Sequence, residues 1–250
     1  MSKIRVSAIS YTNTIPFIYG LENSSIINHI ELTKDIPSEC AKKLLENKAD
    51  IGLVPVAVIP KIHNAEIVSD YCIGAVGPAR SVILGSYKPI HEIETIYLDY
   101  HSRSSVMLAR ILAKKVWNLK VKWADTTEGF EKQINEKNAA VVIGDKAFAV
   151  EQMFTYKYDL AEEWVNFTGL PFVFAVWVSN KPLGQLFKTE FNNALKKGLE
   201  SIDIIDKSSF SHLPKHVDAI DYLKNNLSFT FDEEKKKGLK LFLEFAGEIM

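Results

Sequence analysis

The chain has 250 residues, of which 47% are apolar and 24% are charged, and its formal net charge is −1. This composition is typical of a globular protein with one large domain or two lobes, and it excludes disordered, collagenous and fibrous chains. Because positive and negative charges balance, the chain lacks the positive field with which proteins collect on nucleic acid.

The two cysteines, Cys40 and Cys72, have no metal-binding spacing, and the histidines form no HExxH or HxH pair. We therefore expect no structural zinc site and no disulfide. The first residues lack the apolar core of a signal peptide, and no run of about 20 apolar residues is present to span a bilayer. These features predict a cytoplasmic protein that has no membrane partner.

The first part of the chain reads as an α/β unit. Residues 4–9 alternate apolar and polar side chains, which predicts a strand. Residues 10–14 end it with cap-forming side chains, and Pro16 fits the first turn of a helix. Ser38 opens a second helix, and residues 49–55 read as a buried strand that ends at a turn.

A second block repeats this plan. Residues 96–98 predict a strand, residues 102–105 a polar turn, and residues 106–116 a helix with one apolar stripe. Residues 130–137 predict another helix, and residues 139–145 a buried strand. Two halves with one order of elements indicate two α/β lobes.

Two apolar segments connect the halves. Residues 74–86 form a Gly/Pro-rich turn that runs into a strand, and residues 171–178 are apolar throughout. We interpret them as antiparallel crossover strands. This predicts a discontinuous first lobe, residues 1–83 and 176–250, and an inserted second lobe, residues 84–175. Further helices are predicted over residues 186–202, 218–227 and 232–248.

The candidate binding site lies where strands end and helices begin. Ligands of open parallel sheets bind at the carboxyl ends of the strands, beside the free N–H groups of helix starts. Four such places are present: residues 10–14, Pro55, residues 102–105 and residues 144–145. If the lobes face each other, all four line one cleft. For each serine of the 102–105 turn, helix capping is the alternative to ligand binding.

Charged and polar side chains near these turns have two possible roles each. Arg80 and Arg103 are candidate forks for a carboxylate, although Arg103 is equally suited to an ion pair with Asp99. Asp145 is suited to act as a general acid or to cap a helix. Asn13 is suited to hold a polar group of a substrate or to form the turn itself.

Several known active-site patterns are absent from the sequence. It contains no GxSxG, Walker A or GxGxxG motif. His101 precedes a serine turn, but nothing marks a Ser–His–Asp triad. Phe174 and Trp177 are expected in the core or at the hinge, where an aromatic ring is able to cover a ring-shaped ligand.

Four stretches, taken in order, resemble one family. They read SYTNTIP at residues 10–16, LDYHSRSS at 98–105, IGDKA at 143–147 and LPFVFAVW at 170–177. Together they are similar to the chorismate dehydratase (MqnA) family of the futalosine route to menaquinone. Thr12 stands where Leu is expected, and Ser104 where Thr is commoner.

The resemblance implies a two-lobed fold like that of type II periplasmic binding proteins, with a central cleft. It also implies a lyase that eliminates water from chorismate, a small dicarboxylate, to give 3-[(1-carboxyvinyl)oxy]benzoate. No metal or organic cofactor is implied, and the protein is expected as a monomer or homodimer. The catalytic residues proposed on this basis are Asn13, Ser105 and Asp145; the substrate-binding residues are Ser10, Tyr11, Arg80, Ser81, Ser102, Arg103, Ser104, Gly144 and Phe174.

Two other functions remain open from the sequence. One is a non-catalytic cytoplasmic protein of the same fold that binds small anions, which the lack of an evident general base favours. The other is the sister enzyme of the pathway, which releases dihydroxynaphthoate from a cyclised futalosine. The S-R-S-S turn and the S-Y-x-N-T start favour the dehydratase.

Overall fold

The computed structural model describes residues 3–127 and 129–249. Their strands form two sheets, and none of their helices is both long and apolar enough to cross a bilayer. The strands are β1 Ile4–Ile9, β2 Ile30–Asp35, β3 Ile51–Pro55, β4 Glu66–Ala75, β5 Val82–Ser86, β6 Thr95–Leu98, β7 Lys122–Asp125, β8 Asn138–Ile143, β9 Tyr156–Asp159, β10 Phe172–Ser179 and β11 Ser228–Thr230. The α-helices are α1 Ile15–Glu22, α2 Pro37–Leu45, α3 Ser104–Lys115, α4 Asp145–Val150, α5 Leu160–Thr168, α6 Gln185–Glu200, α7 Ala219–Asp221 and α8 Glu233–Gly247.

The two sheets share one arrangement of strands. The six-stranded sheet has the order β11-β4-β10-β3-β1-β2, and the five-stranded sheet has the order β7-β6-β8-β5-β9. In the six-stranded sheet β1 lies between β2 and β3, both parallel to it, and β3 also pairs with the antiparallel β10. In the five-stranded sheet β6 lies between β7 and β8, both parallel to it, and β8 also pairs with the antiparallel β5. This repeated wiring confirms the two-lobed α/β architecture. We call the six-stranded sheet with its helices the first lobe and the five-stranded sheet with its helices the second lobe.

The chain changes sheets twice. It leaves the first sheet after Ala75 and enters the second at Val82; it leaves the second after Asp159 and returns at Phe172. At this junction Phe172 lies opposite Ala75 in the antiparallel register of β10 and β4. The exact lobe limits at residues 83 and 175 stay a proposal.

Some predicted elements differ from those observed. Within residues 74–86 the predicted turn leads into a strand, β5, but β5 belongs to the second sheet, and the antiparallel partner of β10 is β4. Instead of a helix over residues 130–137, the chain forms one 3-10 turn at Phe130–Gln133. The helix predicted over residues 218–227 is present as the short α7 followed directly by a π-helical segment at Tyr222–Asn226. In the first segment Phe130 and Ile134 are buried four residues apart, so helix-like spacing of apolar side chains occurs there without a full helix.

The helix that follows the first polar turn is fixed by a close crossing. A Cβ atom added to Gly20 of α1 would lie 2.0 Å from the carbonyl oxygen of Ala194 in α6, and one added to Gly198 would lie 1.9 Å from that of Pro16. The two backbones therefore touch, which only glycine permits. Trp177 of β10, fully buried, packs below this crossing with its ring centroid 6.0 Å from that of Phe17.

Residues 202–227 pack across the junction of the lobes. Phe148 of α4 is fully buried in one cluster with Phe210 and Tyr222 from this segment. The ring centroids of Phe148 and Tyr222 lie 4.9 Å apart with the rings nearly perpendicular, a favourable edge-to-face geometry. The C-terminal part of the chain thus contacts both lobes.

Asp50, at the start of β3, joins three strands of the first lobe. Its carboxylate accepts hydrogen bonds from the backbone N–H of Arg5 at 2.9 Å and from the Arg5 guanidinium at 2.8 Å, and it lies 3.0 Å from Lys181 Nζ. Its carbonyl accepts the Ser179 hydroxyl at 2.9 Å. Burial alone would raise the pKa of Asp50, but the bonds from Arg5 and Lys181 outweigh it and lower this pKa to about 2.

We predict that Gly198→Ala destabilises the protein. Alanine has the higher helix propensity by about 1 kcal/mol, but its methyl group would push α6 away from α1, at a cost of about 1–3 kcal/mol or more. The net loss should be seen as a lower midpoint in urea unfolding. Gly247→Ala in α8 is the matched control, because a Cβ atom there meets no atom within 4 Å. Equal stability of the two variants would contradict the crossing.

We predict that Asp50→Asn lowers the free energy of unfolding at pH 7 by about 1–2 kcal/mol, allowing for the partial exposure of Arg5 and Lys181. Because the folded-state pKa lies below the ordinary value of 3.8, this contribution is complete above about pH 4 and disappears towards pH 2. The difference between the two proteins should shrink over that range in chemical unfolding. Glu94→Gln, which removes the exposed pair with Lys137, should change stability by less than about 0.5 kcal/mol. A constant difference from pH 7 to pH 2 would contradict the role of the Asp50 charge.

Candidate functional site

The four predicted turns meet in one cavity between the lobes. Asn13 and Pro55 line it from the first lobe, and Ser105 and Gly144 line it from the second. The turns follow β1, β3, β6 and β8, so they stand at the carboxyl ends of strands from both sheets. The predicted site residues that line this cavity are Tyr11, Asn13, Ser81, Ser102, Ser104, Ser105, Gly144 and Phe174.

The turn after β1 reaches across to the second lobe. The Tyr11 hydroxyl lies 2.8 Å from Nδ1 of His101. The backbone N–H of Thr12 donates to both carboxylate oxygens of Asp145, at 3.1 and 3.2 Å. The next residue, Asn13, faces the cavity and accepts the Thr14 hydroxyl at 3.0 Å. Two interlobe contacts therefore stand beside the residue that was predicted to act on a ligand.

The three serines at the start of α3 differ in whether their hydroxyl groups already form hydrogen bonds within the protein. The Ser102 hydroxyl oxygen accepts the N–H of Ser105 at 3.0 Å, the capping role that was the alternative prediction. The Ser104 hydroxyl donates to the carbonyl of Phe174 at 2.9 Å and accepts the N–H of Ala57 at 3.3 Å. Within the described chain, the Ser105 hydroxyl has no such partner and lines the cavity.

Gly144 shapes the wall opposite the serines. Its φ of 64° lies in the left-handed region, and an added Cβ atom would come within 2.7 Å of the Tyr11 ring. Glycine is thus required both by the backbone and by the aromatic ring packed on it. The Asp145 carboxylate, in contrast, does not line the cavity; it is held by Thr12 and lies 3.1 Å from Nε2 of His212.

Three other predicted site residues lie outside the cavity lining. The Arg80 guanidinium stands 5.6 Å from the centre of the Phe148 ring and 4.0 Å from Glu151. Arg103 is exposed and faces a separate groove beside α2. Ser10 is exposed and borders a third depression beside α1. The cavity is therefore formed without either predicted arginine fork.

Asp99 also has a different role from the ion pair considered with Arg103. It is buried, and its carboxylate accepts the backbone N–H groups of His101 at 2.9 Å and of Ile143 at 3.3 Å. Burial raises the pKa of Asp99. It ties the end of β6 to the end of β8 and so positions the two second-lobe turns.

The cavity itself is uncharged. Among the described residues that line it, none is Asp, Glu, His, Lys or Arg. Burial, with the nearby Asp99 and Asp145 carboxylates, raises the pKa of the Tyr11 hydroxyl and keeps it protonated. An anion in this cavity would be held by hydroxyl and N–H dipoles rather than by a cation.

The cavity is nearly shut, with a volume of about 50 Å³. Binding sites for small molecules span about 300–1,000 Å³. A ring-shaped ligand with polar substituents therefore needs a wider cavity than the one in this structure.

Sequence reasoning missed three contributors to the site. His101 gave no triad signal, and its role as partner of Tyr11 depends on two lobes meeting. The Tyr222 hydroxyl donates to Ser81 Oγ at 2.7 Å inside the protein, and His212 contacts Thr12 and Asp145. His212 lies in a stretch for which no element was predicted, and Tyr222 lies in a predicted helix whose contact with Ser81 depends on tertiary packing.

Comparison with known proteins finds similarity over nearly the whole chain. A family model described as menaquinone biosynthesis matches residues 4–248. A chorismate dehydratase from Thermus thermophilus is 21% identical, over 95% of this chain and 93% of that protein.

Solved structures share the fold at low identity. Protein AF1704 from Archaeoglobus fulgidus has a TM-score of 0.77 and 13% identity, covering 98% of this chain and 97% of its own. The Candida albicans CA3427 product, described as having the generic periplasmic binding protein fold, has a TM-score of 0.67 and 14% identity, covering 99% and 91%. An alkanesulfonate-binding protein from Xanthomonas axonopodis, bound to MOPS, has a TM-score of 0.67 and 12% identity, covering 98% and 93%. The two-lobed periplasmic-binding-protein fold is therefore confirmed.

Proposed function

The chain belongs to the menaquinone-biosynthesis family, and we propose that its reaction is the elimination of water from chorismate to give 3-[(1-carboxyvinyl)oxy]benzoate. The observation that carries the proposal is that Asn13 and Ser105, from two matching turns in different lobes, line one buried cavity. The similarity to a named chorismate dehydratase over nearly the whole chain supports the same reaction. The protein would then be a hydro-lyase of the futalosine route, acting on a small dicarboxylate.

Binding uses fixed dipoles. One substrate carboxylate is placed at the start of α3, a helix of 12 residues, whose N-terminus carries roughly half a positive charge. The Ser105 hydroxyl adds a donor there. The second carboxylate, or the ring hydroxyl, meets the amide of Asn13 across the cavity. Because no cationic side chain is required, the predicted forks Arg80 and Arg103 are left out of this proposal.

The chemistry follows from the substrate and the uncharged lining. A proton leaves the ring carbon that bears the enolpyruvyl ether, and the electron pair spreads through the diene towards the ring carboxylate. Hydroxide then departs and the ring becomes aromatic. Since the lining supplies no carboxylate or imidazole within the described chain, the enolpyruvyl carboxylate of the substrate itself takes the proton. The protein orients the substrate and stabilises the transient charge.

The lobes must close around the substrate. A cyclohexadiene ring with two carboxylate-bearing groups does not fit in about 50 Å³, so the lobes open to admit the substrate and then close on it around a wider cavity than this structure has. Closure excludes water from the charged intermediate and brings the turns from both lobes together.

We predict that the purified protein converts chorismate into one aromatic product, detected by ultraviolet absorbance and by the mass of chorismate less one water. Asn13→Ala and Ser105→Ala should each lower kcat/KM by about 10²-fold or more, because each removes a donor that acts on developing charge. Ser25→Ala and Asn28→Ala, in an exposed turn of the first lobe, are the matched controls. Full turnover by both site variants would contradict the site. Chorismate binding without product would instead favour the anion-binding protein of the same fold.

We also predict that chorismate or its product makes the protein more compact in solution. The free protein must sample a state with separated lobes to admit a ligand, and ligand contacts from both lobes shift it to the closed state. X-ray scattering should show a smaller radius of gyration with ligand than with sodium sulfate at equal ionic strength. The same radius in both samples would rule out ligand-driven closure.

A further inference from the structure

The cavity contains one side chain that is suited to deliver a proton. Among the described lining residues, Tyr11 is the only one with a titratable side chain; the others are apolar, or are serines and an asparagine. A phenol is a much stronger acid than an aliphatic alcohol. The departing hydroxide of the proposed reaction needs a proton at its oxygen, and Tyr11 is the titratable group that the described lining offers there.

The structure holds Tyr11 in a defined position. Its ring packs on Gly144, where no Cβ atom fits, and its hydroxyl lies 2.8 Å from Nδ1 of His101. The His101 ring makes an edge-to-face contact with Tyr100, with 4.1 Å between centroids, and the backbone N–H of His101 donates to the Asp99 carboxylate at 2.9 Å. His101 is half-buried, so part of the residue is open to solvent.

Resting on the proposed dehydratase function, we propose that Tyr11 is the acid that protonates the departing hydroxide and that His101 is the positioning residue that resupplies its proton. In the reactive form His101 Nδ1 carries a proton directed at the Tyr11 oxygen. The ring carbon–oxygen bond breaks and its electron pair stays on oxygen. That oxygen takes the Tyr11 proton and becomes water, while the His101 proton moves to Tyr11. His101 then regains a proton from solvent, and the enolpyruvyl carboxyl group releases to solvent the proton that it took from the ring carbon, so the net change is the loss of one water.

The relay exists only when the lobes are closed. Tyr11 follows β1 of the first lobe, whereas His101 follows β6 of the second. Separation of the lobes takes His101 away from the hydroxyl, which leaves Tyr11 without a donor behind it. The acid is therefore complete only in the state that excludes water, which limits reaction to bound substrate.

Other donors in the cavity are less suitable. The Ser104 hydroxyl donates to Phe174, and the Ser102 oxygen caps Ser105. Asp145 lies outside the lining and is held by Thr12. The contact between Tyr11 and His101 is thus the arrangement that joins a cavity hydroxyl to a group able to carry a proton at neutral pH.

The first test is Tyr11→Phe, which retains the ring that packs on Gly144 but removes the hydroxyl. Wild-type turnover of chorismate is measured first, since its absence would overturn the proposed function and not this assignment alone. With an active wild type, Tyr11→Phe should lower kcat by about 10²–10⁴-fold, the range for loss of a general acid. Tyr87→Phe, in the core of the second lobe beside Phe154, is the control. A kcat of Tyr11→Phe within about twofold of wild type would overturn the assignment.

The second test separates proton relay from positioning and leaves the packing of Tyr11 intact. Glutamine at position 101 can hydrogen-bond to the Tyr11 hydroxyl but cannot exchange a proton at neutral pH, so His101→Gln should lose at least about 10-fold in kcat. His101→Ala should lose as much and recover part of it with added imidazole. His63→Gln, at an exposed site, is the control. Wild-type kcat in His101→Gln, or failure of imidazole to restore His101→Ala, would overturn the relay.

Discussion

The site depends on a small number of hydrogen bonds that cross from one lobe to the other. The Thr12 N–H donates to Asp145, and Tyr11 meets His101, so the turn after β1 is completed by residues of the second lobe. Neither turn has its full set of partners alone, and a buried polar group without a partner costs about 1–3 kcal/mol. Closure of the lobes therefore gives hydrogen-bond partners to the same turns that form the cavity wall. The rest of the fold brings these turns together with the correct spacing.

An uncharged cavity is a suitable environment for a reaction that moves negative charge through a substrate. A lysine or arginine would stabilise a bound dianion before and after charge migration alike, which strengthens binding without accelerating the chemical step. In the proposed reaction, fixed N–H and hydroxyl dipoles at the start of α3 would act where the charge develops, and they would need no reorganisation. The positions of Arg80 beside Phe148 and of Arg103 on an outer groove agree with this division. Charged groups surround the cleft, while dipoles line it.

The sequence was informative where burial imposes a strong pattern and less so elsewhere. The buried strand β3 is apolar throughout, and β8 is apolar and buried after its first residue, so the repeated order of elements was readable and the meeting of four turns followed from the rules of open sheets. Exposed strands such as β2 and β9 have no such runs.

For individual side chains, the limit was tertiary contact. Asn13 and Ser105 were predicted because their turns follow strands at matching places in the two halves of the chain. Tyr222 and His101 were not, since their partners lie in distant parts of the chain and only the packed lobes bring them together. Asp145 was predicted to be catalytic from its residue type, but in the structure its carboxylate accepts the backbone N–H of Thr12.

The insertion of one lobe within the other has a consequence for biosynthesis on the ribosome: every strand of the second sheet lies between residues 82 and 159. Its pairings are available as soon as that stretch has emerged, whereas β3 and β4 must wait for β10, and α1 must wait for α6, so the half that is translated first is the half that is completed last.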